Sequence, residues 1–148
     1  MKILVYGHKG WIGSMFIDIL KDKGLNYYIT NTRCDNNEDL IKELNDIKPT
    51  HVISFIGRTH GEIDGKIYST IDYLEEPGKL KENINDNLFS PLQLALFCNE
   101  RNIHYTYLGT GCIFSYRDRI ISDKNGFMET DLPNFFGSQY STVKGFTD

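Results

Sequence analysis

Cysteine is in short supply in this 148-residue sequence, and the shortage excludes two things. The three cysteines, Cys34, Cys98 and Cys112, are odd in number and far apart. They form neither a disulfide framework nor a metal-ligand pattern, so no metal is expected. The formal net charge is −4, which argues against a nucleic-acid surface. No stretch approaches the roughly 18 to 20 consecutive apolar residues of a membrane span. Repeats and low-complexity segments are missing. Met1 leads directly into an apolar run, so neither a signal nor a transit peptide is expected, and the default setting is cytoplasmic. What remains is the composition of one globular domain with a real core.

The most informative stretch is the first: MKILVYGHKGWIG. Ile3 to Tyr6 reads as a buried strand, Gly7, Gly10 and Gly13 follow at equal spacing, and an amphipathic run begins at Trp11. Strand, glycine turn and helix start make a dinucleotide-binding βα unit. A side chain at Gly7 would obstruct the turn, one at Gly10 would keep a pyrophosphate from the backbone, and one at Gly13 would hold the helix off the sheet. Lys9, Gly10, Trp11, Ile12 and Gly13 therefore line the expected phosphate site at a helix N-terminus. The G-x-x-G-x-x-G spacing resembles the short-chain dehydrogenase/reductase superfamily. The alternative is the ordinary βα turn of a flavodoxin-like sheet that binds no nucleotide.

The spacing predicts a helix over 11–23 with Ile12, Phe16, Ile19 and Leu20 facing the sheet, and a strand over 26–30. A nucleotide-binding domain selects NAD with an acid at the end of that strand, or NADP with a cation. Arg33 stands there, ahead of Asp35, and points to NADP. The competing reading leaves Arg33 in solvent and gives the ribose to Asp35. A short helix over 39–47 and a strand over 51–56 follow. Phe55, Ile56 and Gly57 lie at the strand's carboxyl end, where ligands of open α/β sheets sit, while Arg58 and His60 read as loop residues in solvent. Residues 62–76 read as a loop or lid with at most one helical turn. Residues 79–101 read as one long helix kinked by Pro91, with Leu88, Leu92, Leu94, Ala95, Leu96 and Phe97 buried. A fourth strand spans 104–108, and 116–136 reads as a polar surface loop. Strands alternating with helices predict an α/β, Rossmann-type doubly wound parallel sheet, one domain over 1–148.

Past the fourth strand lie Thr110 and Cys112, then Tyr140 and Lys144. Tyr and Lys at i and i+4 share a helix face, and an ammonium there would lower the tyrosine pKa toward the working range. Thr110 could make the second bond to a carbonyl oxygen, completing a proton donor and oxyanion site. In an extended backbone Cys112 would point to the same side as Thr110. Its bland alternative is a small buried thiol.

The order of these parts resembles the extended short-chain dehydrogenase/reductases. YGHKGWIG, IKPTHVI, GTGCIF and ETDLPNFFGSQYSTVK together resemble the plant-type nucleotide-rhamnose synthases, which are UDP-4-keto-6-deoxyglucose 3,5-epimerase/4-reductases related to dTDP-4-dehydrorhamnose reductase. The similarity runs nearly end to end and weakens over 61–82. It implies an NADPH-dependent enzyme of UDP-L-rhamnose biosynthesis acting on a 4-keto-6-deoxy nucleotide-sugar. Catalysis would fall to Thr110, Cys112, Tyr140 and Lys144, with Cys112 as acid/base, and Asn87 would lie beneath the active site. It also implies a homodimer for a full-length chain. Four residues follow Lys144, so the expectation is a cofactor-binding N-terminal half, truncated after the Tyr/Lys helix start and without a nucleotide-sugar lobe. Two alternatives stand beside it: a non-catalytic NAD(P)-binding module, or a reductase on a different nucleotide-sugar.

Overall fold

A computed structural model describes residues 1–116 and 126–148, which form two compact units. The first comprises Met1–Arg58 with Asn85–Leu108. Its sheet is four parallel strands in the order β2-β1-β3-β6, namely β2 (Tyr27–Ile29), β1 (Ile3–Tyr6), β3 (His51–Ser54) and β6 (His104–Tyr107). β1 is buried on both faces, as an inner strand of a doubly wound sheet must be. Leu4 and Tyr6 join Leu40 and Leu44 of α2 (Asn37–Ile47) and Leu94 and Cys98 of α5 (Ser90–Glu100) on one face. Ile3 and Val5 join Ile17 and Leu20 of α1 (Trp11–Asp22) on the other. The chain goes from β1 to β2 on one side and returns to β3 on the other. That reversal puts the topological switch point at the carboxyl ends of β1 and β3.

The end of β2 is fixed by one carboxylate. Glu43 of α2 accepts hydrogen bonds from the Tyr6 hydroxyl (2.5 Å), from Thr32 (3.0 Å) and from Thr30. Burial, with this carboxylate beside it, pushes the Tyr6 phenol far above its ordinary range.

Three expectations need correction in this unit. Ile12 and Ile19 are exposed, and the buried stripe of α1 is Gly13, Ile17 and Leu20. Gly13 must abut the turn, so it sets the rotation of the helix. The helical run of 80–100 is interrupted by a π turn over Asn85–Phe89. Pro91 has no N–H to return to the Asn87 carbonyl, and the ladder widens in the turn before it. Leu92 and Leu96 are exposed, while polar Asn87, Ser90 and Gln93 are buried.

The second unit comprises Thr59–Ile84 with Gly109–Asp148. Residues 61–68, expected as loop, form a hairpin of β4 (Gly61–Ile63) and β5 (Lys66–Tyr68). Its turn is Asp64-Gly65, both at positive φ (49° and 80°), as a two-residue type I′ turn requires. Short helices α3 (Asp72–Glu75) and α4 (Leu80–Ile84) follow, then a 3₁₀ turn (Gly111–Ile113) and α6 (Gln139–Thr147). Tyr73 and Leu74 of α3 pack with Tyr140 of α6 in a small core of their own. The surface loop expected over 116–136 falls partly on 117–125, outside the described residues. Among the described residues, no helix is long and apolar enough to cross a membrane.

Candidate functional site

In the first unit the chain leaves β1 through Gly7, whose φ of +74° suits glycine. A Cβ there would stand 2.7 Å from the Phe55 carbonyl carbon and 3.0 Å from the Ile56 nitrogen, so the two strand exits touch backbone to backbone. Gly10 donates its N–H to the Gly7 carbonyl (3.1 Å) and caps α1 without any side-chain bond. A Cβ on Gly13 would lie 2.2 Å from the Gly7 oxygen, a clash no side chain survives. A Cβ on Gly10 would meet only that oxygen, at 3.4 Å. The first turn of α1 therefore packs closely on the corner, carries no acidic residue, and presents its N-terminal amides beside exposed Lys9, Trp11 and Ile12. Such a terminus has the hydrogen-bond donors and partial positive charge that suit a phosphate.

At the end of β2, Asn31, Thr32, Arg33, Asp35, Asn36 and Asp39 line an open cavity of about 630 Å³. Arg33 is mostly exposed, yet its guanidinium is engaged. Its Nε and Nη2 donate to Asp35 (3.0 and 2.7 Å), and Nη2 also reaches Asp86 (3.3 Å). Arg58 donates to the other Asp86 oxygen (2.6 Å), and the Asn85 amide bonds both Asp35 (2.9 Å) and Asp86 (3.0 Å). Arg33 first, then Asn85, hold the Asp35 carboxyl down at about 2. Arg58, expected as a solvated loop residue, is half-buried and ion-paired. Buried Asn87 accepts from the Arg58 N–H and donates to the Arg58 carbonyl, both at 2.9 Å, and so fixes the segment after β3. A Cβ on Gly57 would approach its Oδ1 to 2.9 Å. Asn85 and Asp86 were not foreseen. Only the π turn brings them level with residues some 50 positions away, and nothing in local periodicity signals it.

In the second unit Thr110 is the N-cap of the 3₁₀ turn, its hydroxyl accepting from the Cys112 N–H (3.3 Å). Cys112 is an exposed free thiol. The backbone expected to be extended there is a 3₁₀ turn, and the alternative of a small buried thiol is corrected by its exposure. Tyr140 and Lys144 are 6% and 5% exposed. Burial raises the Tyr140 phenol and hydrogen bonding to Thr110 pulls it back down, while nearby Cys112 raises it slightly. The lowering expected from Lys144 does not appear: burial dominates the shift of the Tyr140 phenol, and burial also pushes Lys144 itself down to about 8.

Lys144 gives a signed prediction. Its unfolded value is near 10.5 and its folded value about 8, so the unfolded chain binds more protons in that window and stability from this site rises with pH across it. The advantage of Lys144→Met over wild type should shrink there by up to about 1.4 kcal/mol per pH unit. Urea unfolding at several pH values reads the effect, and a pH-independent difference contradicts it.

The fold is thus a Rossmann-type parallel sheet with a glycine cradle at its first corner. Comparison with known proteins narrows the resemblance. The crystal structure of the UDP-rhamnose synthase from Acanthamoeba polyphaga mimivirus superposes with a TM-score of 0.89 at 55% identity, over 99% of this chain and 50% of that one. The trifunctional UDP-glucose 4,6-dehydratase/UDP-4-keto-6-deoxy-D-glucose 3,5-epimerase/UDP-4-keto-L-rhamnose-reductase of Arabidopsis thaliana is 34% identical over all of this chain and 21% of its own length. A Bacillus anthracis dTDP-4-dehydrorhamnose reductase in complex with NADP shares the fold, with a TM-score of 0.77 at 16% identity, over 99% of this chain and 47% of that one. The chain spans about half the length of the mimiviral relative. No family model matches. The similarity to nucleotide-rhamnose synthases first drawn from motifs therefore holds over the whole chain.

Proposed function

We propose that this chain is the cofactor-binding part of an NADPH-dependent 3,5-epimerase/4-reductase acting on a UDP-4-keto-6-deoxy sugar. One observation carries the reading: the phenol of buried Tyr140 lies close enough to Thr110 for that hydroxyl to pull its pKa down, with Lys144 one helical turn on, in a chain 55% identical to a UDP-rhamnose synthase. A module that merely binds nucleotide has no use for that hydroxyl pair.

The chemistry follows from the ketone. A carbonyl at C4 acidifies both C3–H and C5–H, because either carbanion delocalises onto the same oxygen. Thr110 and Tyr140 hold that oxygen through both epimerisations and the reduction. The exposed thiol of Cys112 exchanges the proton at C3 and C5. Bound NADPH would supply the hydride to C4. Tyr140 then gives its proton to the C4 oxygen, and Lys144 holds a ribose hydroxyl. Gly7, Lys9, Gly10, Trp11, Ile12 and Gly13 would hold the diphosphate, and Phe55, Ile56 and Gly57 would line the path of the nucleotide, with Asn87 fixing the Arg58 backbone just beyond them. The test is turnover: NADPH should be consumed with UDP-4-keto-6-deoxyglucose, by this chain alone or joined to the remaining half that its relatives carry, and a rhamnose nucleotide should form. Consumption without inversion at C3 and C5 would favour a reductase on another nucleotide-sugar.

Cofactor choice rests on Arg33. Asp35 takes its Nε–Nη2 edge, so a 2′-phosphate would meet the opposite edge, and exposed ion pairs of this kind yield readily. NADPH should bind more tightly than NADH, and Arg33→Ala should cost NADPH about tenfold, the scale of one charge-assisted hydrogen bond, while sparing NADH. Equal losses for both cofactors in a binding titration would give the ribose to Asp35 instead.

A further inference from the structure

The helix that carries Tyr140 and Lys144 is held at its start by a residue 64 positions upstream. Glu75, at the end of α3, accepts the N–H of Gln139 on Oε2 (2.8 Å) and the N–H of Tyr140 on Oε1 (2.9 Å). These are the first two amides of α6, donors that a helix leaves without intrahelical partners. The third is met locally, the Ser141 N–H donating to the Ser138 hydroxyl (3.0 Å). A carboxylate at this position is doubly favoured, by charge-assisted bonds and by the helix dipole. Two bonds from one planar group to successive amides fix the rotation of the helix as well as its position. A local cap such as Ser138 does not tie the helix to any other element.

Glu75 is itself well anchored. Tyr73 and Leu74 beside it are buried, and the Tyr73 ring lies where a Cβ on Gly61 would come within 2.4 Å of it. The Tyr73 hydroxyl donates to Glu82 (2.8 Å) and accepts from Lys79 (2.7 Å). The short strands and helices of 61–84, which the sequence motifs leave unexplained, thus build a rigid platform that ends in one carboxylate.

We propose that Glu75 is a positioning residue: by clamping the Gln139 and Tyr140 amides it sets the rotation of α6, and with it the direction in which the Tyr140 phenol points. This rests on the reading of Tyr140 as the proton donor, and the test separates the two. The ring resonances of Tyr140, identified by their loss in Tyr140→Phe, are followed in the intact chain without cofactor. Glu75→Ala should shift and broaden them, Glu75→Gln should shift them less because one acceptor remains, and Glu38→Gln, at an exposed site of the first unit, should leave them in place. Where turnover is measurable, Glu75→Gln should lower kcat about tenfold or more with the KM values for sugar and cofactor nearly unchanged, as expected of a misaimed group. Unshifted Tyr140 resonances in folded Glu75→Ala overturn the proposal. Should that variant not fold, unshifted resonances in Glu75→Gln overturn it equally. Absence of turnover with shifted resonances counts against the enzyme reading and leaves the clamp standing.

Discussion

Gly13→Ala should abolish NADPH binding and destabilise the fold by about 3 kcal/mol or more, the upper range for overpacking a site that cannot relax. The added carbon would lie 2.2 Å from the Gly7 oxygen and 3.0 Å from the His8 Cα, both backbone atoms. Relief requires α1 to lift from the corner. That motion carries the N-terminal amides away from the diphosphate and pulls Ile17 and Leu20 out of the core they share with Ile3 and Val5. Gly10→Ala separates packing from recognition. Its carbon meets only the Gly7 oxygen, at 3.4 Å, so the fold should stand. Binding should still fall, because the methyl occupies the approach to the helix terminus. Denaturation midpoints and NADPH titrations of the two variants read the contrast. Normal binding by a stable Gly13→Ala protein would mean that the corner holds no diphosphate.

The second large effect is on chemistry. Tyr140→Phe should lower reduction of the 4-keto sugar by about 10²- to 10⁴-fold, the range for loss of a positioned general acid, while NADPH affinity changes little. The phenol is suited to this role. Burial keeps it protonated, and Thr110 gives it a second hydroxyl with which to grip a carbonyl oxygen. Lys144, down at about 8, still carries its charge for the most part near neutral pH. Reduction by Tyr140→Phe at the wild-type rate would return the residue to the small core of Tyr73 and Leu74.

The parts of the fold legible in sequence are those set by local pattern. β1, the glycine corner and the parallel βα alternation are written in consecutive residues, and so is the Tyr-x-x-x-Lys spacing that places Tyr140 and Lys144 on one helix. The face of α1 was misread because four apolar residues at helical spacing outvoted one glycine. In the molecule the clash distance at Gly13 decides the phase, and Ile12 and Ile19 turn outward. The hairpin had a local signal, Asp64-Gly65, but its strands are three residues each and too short to alternate visibly. Only half of the state of Arg33 was legible, since Asp35 lies two residues on but its second partner does not. Its partner Asp86 lies 53 residues away and depends on a π turn. The same holds for Glu75, whose partners are backbone amides 64 and 65 residues on and leave no trace in side-chain identity.

The most direct measurement is a titration of NADPH into the isotopically labelled chain, followed residue by residue through its backbone amides. The account predicts saturable shifts concentrated on Gly7, Gly10, Trp11, Ile12 and Gly13, with a second group at Phe55, Ile56 and Gly57. Saturable binding that left the Gly7 to Gly13 amides unmoved, or no binding at millimolar cofactor, would contradict it.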